Sequence, residues 1–213
     1  DGQAIWSDRL NPSSSHGVTT VVMGNCGVGF APCRPEDRDL ICMTMEGVED
    51  IPGAVMAEGL TWDWETFPDY LARVEALAKG VNVLTYLPLN LLLIWVMGID
   101  AAKSRRPSAS EMAEMHQLIN EAMDAGAIGI SMSCMGAEGN SHLDCDGTPM
   151  PTDTLHHDDV VEICRALALR GEGVIQLLSH LIIYGDRSLT ERVLEMAKGS
   201  GVTVIHNAFM TSD

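Results

Sequence analysis

Hydrophobic and polar positions along this chain fall into two alternating periods. Runs of strand length, rich in β-branched and small apolar residues, recur at 17–25 (GVTTVVMGN), 81–88 (VNVLTYLP), 127–133 (AIGISMS), 173–180 (GVIQLLSH) and 202–209 (VTVIHNAF). Valine, isoleucine and threonine suit the pleated, half-buried surface of a sheet, so each run predicts a strand. A long acidic connection follows the first run and ends in a helix expected over 64–78. The next helix has clear punctuation: Ser108 with Glu111 forms a capping box, and Met112, Met115, Ile119, Ala122 and Met123 follow at helical spacing. Gly126 then sits where a C-terminal cap belongs. A helix near 158–170 is stopped by Gly171, and a second capping box, Ser188 with Glu191, opens a helix over 189–198 that Gly199 ends.

Strand–helix alternation of this kind predicts an α/β protein with parallel strands joined by right-handed crossovers. An open doubly wound sheet and part of a (β/α)8 barrel both satisfy it, and both place chemistry at the C-terminal ends of strands. Beyond the alternation there is no internal repeat and no low-complexity segment.

Composition narrows the class of partner. The 213 residues are long enough for one large domain or two small ones, and 46% apolar with 5% aromatic residues describes an ordinary globular chain. A formal charge of −17 disfavours nucleic acid and anionic membrane, both of which require a positive footprint. The longest apolar run, 84–99, is interrupted by Pro88 and Asn90 and is too short to span a bilayer. There is no basic segment leading into an apolar one, so no signal peptide is expected. The six cysteines form no CxxC pair, which fits free thiols in a reducing cytoplasm. The chain opens on DGQAIW without an initiating methionine and closes directly after a strand-like run, so a fragment of a longer polypeptide is expected.

The strand ends carry the candidate chemistry: Cys26, Asn90, Ser131 and Ser133, His180, and His206 with Asn207. Thiolate and neutral imidazole are good zinc ligands, and three of them leave a position for a water that ionises near neutral pH and attacks an amide or ester carbonyl. Each residue also has a plainer reading. Cys26 can be a packed thiol, His180 the start of a solvated loop, and His206 a satisfied core histidine. Ser131 and Ser133 lie outside any GxSxG elbow, so a serine esterase is weakly supported. The glycines of GNCGVG, at 24, 27 and 29, do not make a dinucleotide fingerprint, and no P-loop is present. Residues 138–159 are rich in Asp and His, lack the ligand spacing of a calcium loop, and read as a solvated βα loop able to cover a substrate site.

Four stretches carry a resemblance: PSSSHGVTTVVMGNCGVGFAPCRPEDRD (12–39), MEGVEDIPGAVMAEGLTWDWETFPDYL (45–71), DAGAIGIS (124–131) and DGTPMPT (146–152). They resemble the N-acyl-D-amino-acid deacylase (D-aminoacylase) family of the amidohydrolase superfamily, most specifically between Ser13 and Leu71. The resemblance implies a partial (β/α)8 TIM barrel of about five strands, with residues 1–213 as a single incomplete barrel domain. It also implies a metal-dependent hydrolase of N-acyl-D-amino acids or related small amides, with one or two zinc ions. Its metal-ligating cysteine falls on Cys26, and His206 matches the sixth-strand histidine, while Gln176 or His180 fills the fifth-strand position. Asn90 and Ser133 are the candidate substrate contacts. The family's His-x-His pair would lie just upstream of Asp1 and its catalytic aspartate beyond Asp213, so exposed barrel edges open to association, including a homo-oligomer, are expected. A degenerate, non-catalytic barrel fragment and an open-sheet small-molecule-binding domain are the rival expectations.

Overall fold

The computed structural model describes residues 1–49, 51–138, 143–179 and 185–206. Its strands are β1 (Thr20–Met23), β2 (Asn82–Thr85), β3 (Leu87–Pro88), β4 (Gly129–Cys134), β5 (Val174–Ser179) and β6 (Thr203–His206). They pair in parallel as β1-β2 and β3-β4-β5-β6. Tyr86 joins the two groups: its N–H donates to Met23 O at 3.0 Å, and Ile128 N donates to Thr85 O at 3.0 Å. β2 and β3 therefore act as one course of chain within a continuous arc. Each course neighbours the next in sequence with no switch point, which is barrel order and not that of a doubly wound sheet. This is the partial (β/α)8 barrel expected from the sequence.

Every expected strand is present, starting later than expected, with β4 running one residue past its expected end; the last of them is described only to His206. The helices are α1 (Gln3–Trp6), α2 (Arg38–Glu49), α3 (Gly53–Gly59), α4 (Phe67–Ala76), α5 (Leu89–Met97), α6 (Ile99–Ser104), α7 (Ala109–Asp124), α8 (Pro151–Thr154), α9 (His157–Arg170) and α10 (Ser188–Ala197). The capping box at Ser108 and Glu111 forms as expected and starts α7. A second box lies at Thr66 and Asp69, so α4 begins after residue 64. At α10 the expected Ser188–Glu191 box is replaced: Asp186 Oδ1 accepts from Ser188 N at 2.8 Å, and Ser188 is already inside the helix. The acidic connection contains α2 and α3, and the interrupted apolar run contains α5.

Alternation along the strands separates two faces. One face, with Ile130, Met132, Ile175 and Leu177, packs against the helices, where Ile163, Leu167, Leu189 and Val193 are also buried. Fully burying each such side chain stabilises the fold by about 1.5–3 kcal/mol. The opposite face carries the register partners Val22 and Leu84, Ser131 and Gln176, and Gln176 and Ile205. Val22, Leu84 and Ile205 are 41%, 40% and 43% exposed, because the arc does not close over them.

Candidate functional site

The site is built on the turn that follows β1. Gly24 (φ +75°), Cys26 (φ +58°) and Gly27 (φ +78°) all lie in the left-handed region, which lets the chain double back over the strand tips. Contact as well as conformation requires the two glycines. A Cβ on Gly24 would stand 2.7 Å from Tyr86 O, and one on Gly27 would stand 3.1 Å from Met132 Cα. Cys26 has no such exemption, and holding a non-glycine residue there costs on the order of 1–3 kcal/mol. Something must hold the turn in place.

Two side chains from distant strands do so. Ser131 Oγ, on β4, donates to Gly24 O and accepts from Gly27 N at 3.1 Å. Gln176 Oε1, on β5, accepts from Cys26 N at 2.7 Å. Asn25 Nδ2 adds a local bond to Val22 O at 3.2 Å, and Asp1 Oδ1 accepts from Gly24 N at 2.9 Å. Cys26 is thus fixed by its backbone while its side chain stays partly exposed. It lines a cavity of about 340 Å³ with Gln3, Met23, Phe30, Met45 and Glu49, a volume in the range of small-molecule sites.

The other described candidate residues are engaged in bonds of their own. Ser131 is fully buried with its hydroxyl engaged by backbone at both ends, an arrangement that suits a clamp and not a nucleophile. Ser133 is buried two residues further along the same strand face. Asn90, at the start of α5, is 2% exposed, and its Oδ1 accepts from Thr152 N at 3.0 Å. His206 pairs in register with Leu177, on the helix-facing side. There its Nε2 lies 3.2 Å from Ser179 Oγ, which is itself 2.9 Å from Thr190 Oγ1 of α10. Gln176 and Ser179 are on opposite faces of β5, so His206 and the Cys26 turn meet different sides of the sheet. His180 and Asn207 lie outside the described residues. Among the described residues no group of three or more His, Cys, Asp or Glu is placed to hold a metal ion. These residues alone therefore do not compose a zinc site.

The acidic loop after β4 is exposed at 143 and 145–148, as a solvated segment would be, but Asp144 is an exception. Asp144 is 5% exposed and is held by Thr44 Oγ1 at 2.6 Å and Lys103 Nζ at 2.5 Å. Burial works to raise its pKa, but these donors and the Cys145 N–H prevail and hold the carboxyl below its usual value. Lys103 also reaches Asp146 and Thr148, so one ammonium is shared between the two carboxylates and offsets part of their charge. Further along, Asp153 was not evident from sequence. Burial pushes its carboxyl up to about 7, opposed by the Met135 N–H that donates to Oδ1 at 2.7 Å.

Comparison with known proteins places this geometry. No protein-family profile matches the chain. An uncharacterized protein of Mycobacterium tuberculosis is 34% identical over 135 residues, 62% of this chain and 22% of its own length. A D-aminoacylase of Alcaligenes xylosoxydans is 30% identical over 171 residues, 80% of this chain and 30% of its own. The chain therefore spans less than a third of these curated relatives. A crystal structure of a D-aminoacylase, described as defining a novel subset of amidohydrolases, matches with a TM-score of 0.63 and 27% identity, covering 92% of this chain and 35% of that one. An N-acyl-D-glutamate deacylase of Bordetella bronchiseptica, solved with zinc and a phosphonate inhibitor, shares the fold with a TM-score of 0.65 at 22% identity.

Proposed function

From its homology to a segment of the D-aminoacylases of the amidohydrolase superfamily, we propose that this chain is part of a hydrolase that cleaves the amide bond of N-acyl-D-amino acids. The observation that carries the reading is the Cys26 turn. A left-handed cysteine between two obligatory glycines, fixed by Ser131 and Gln176 at the strand tips, spends conformational energy that a packed thiol does not need. In this reading Cys26 supplies a thiolate to a zinc centre in the intact protein, with His180 as an imidazole contributor and Asn90 and Ser133 shaping the substrate end, while His206, whose Nε2 lies beside Ser179 on the helix side, is left out of the ligand set. The described residues do not assemble that ligand set, so no catalytic step is assigned to the metal here. The role of this chain's own residues is positional: Ser131 and Gln176 fix the thiol before any ligand arrives. Six free cysteines support a reducing compartment such as the cytoplasm.

A second reading, a barrel that keeps the fold without the chemistry, is favoured by the His206–Ser179 contact on the helix side. Metal analysis of the intact protein separates the two, run beside hydrolysis of N-acetyl-D-amino acids. Bound zinc and activity, both lost in Cys26→Ala, are expected. Wild-type protein with neither metal nor activity would establish the second reading.

A further inference from the structure

Three polar atoms of one small region have no hydrogen-bond partner among the described residues: Asn90 Nδ2, Thr152 Oγ1 and Asp153 Oδ2. Their residues are 2%, 0% and 5% exposed, so bulk water does not serve them. Covalent geometry and two hydrogen bonds keep them together. Asn90 Oδ1 accepts from Thr152 N, Thr152 precedes Asp153, and Asp153 Oδ1 accepts from Met135 N at the end of β4. A buried water makes two to four hydrogen bonds to polar groups that are otherwise left unsatisfied. Leaving three such atoms unpaired would cost on the order of 1–3 kcal/mol each.

We propose that Asn90, Thr152 and Asp153 form a binding site for one internal water molecule, which accepts from Asn90 Nδ2 and bridges to Thr152 Oγ1 and Asp153 Oδ2. The chemistry of the three groups selects the ligand. Asn90 Nδ2 is a donor and repels a bare cation, while the Asp153 carboxyl repels an anion. Asp153 is held near neutral pH, so the ligand must serve it in both states. When the carboxyl is ionised the water donates to Oδ2; when it is protonated, Oδ2–H donates to the water, which in turn donates a hydrogen bond to Thr152 Oγ1. Only a small molecule with donor and acceptor capacity satisfies both. The site also borders the Cys26 turn, since a Cβ on Gly27 would come within 3.3 Å of Asn90 Nδ2. The water thereby ties α8 and the loop before it to the strand tips on which the turn rests.

Water–amide cross-relaxation NMR on the intact protein tests this, with Met135 and Thr152 as reporter amides. A long-lived water is expected at both amides in the wild type and is expected to be lost in the isosteric Thr152→Val. Because Thr152→Val could weaken folding, a high-resolution crystal structure of the wild type provides the second measurement. One ordered water within hydrogen-bond distance of Asn90 Nδ2 and Asp153 Oδ2 is expected there. Reporter amides silent in the wild type, cross-peaks unchanged in the variant, or Asn90 Nδ2 in direct contact with Asp153 Oδ2 would each overturn the assignment.

Discussion

Replacing Ser131 by alanine removes one oxygen and tests the clamp on the Cys26 turn. That oxygen donates a hydrogen bond to Gly24 O and accepts one from Gly27 N. Gly27 and Ser131 are both buried, and the methyl left behind frees too little space for a water. An orphaned buried N–H costs about 1–3 kcal/mol, and the weakened carbonyl contributes further, for a total of about 2–4 kcal/mol. Releasing the turn also lets Cys26 leave the left-handed region, recovering part of that loss while misplacing the thiol. Two measurements on the intact protein follow: the free energy of urea unfolding, and the rate of Cys26 alkylation read by peptide mass spectrometry. Stability is expected to fall by the stated amount and Cys26 labelling to accelerate several-fold, with Cys134 and Cys164 staying protected in the core. A change under about 0.5 kcal/mol with an unaltered labelling rate would refute the clamp.

Gly24→Ala is expected to cost more than Gly27→Ala, because its Cβ meets backbone at 2.7 Å and not 3.1 Å; equal unfolding midpoints would contradict the contact argument. Asp153→Asn is expected to flatten the pH dependence of stability. The folded carboxyl titrates at about 7 against an unfolded value near 3.8. Its contribution is thus complete at low pH and is lost as pH rises through that window, by at most about 4 kcal/mol. Urea unfolding at pH 5 and pH 8 measures this, and an identical slope in wild type and variant would sink it.

The elements legible in the sequence are those whose signal is local. β-branched runs located the strands, and Ser108 with Glu111 located α7, because both depend on residues a few positions apart. α2 went unread because only Ile41 and Met45 of its twelve residues are buried, too thin a stripe to stand out. α5 is apolar nearly all round, so periodicity had nothing to separate. The same division runs through the site. Glycines bracketing Cys26 announced an unusual turn, but the groups that hold it lie 104 and 150 residues away in sequence. Likewise Asp153 reads as one more acidic loop residue until burial is known.

That separation of 150 residues has a temporal side. At roughly 5–20 residues per second, a ribosome needs about 8–30 s after Cys26 to deliver Gln176. Throughout that interval the nascent turn has its glycines but not its anchors, and the thiol is presented in whatever conformations the free chain prefers. Cys26 is fixed in its left-handed posture only when β5 docks, so the slowing of its alkylation is a clock for the docking of β5.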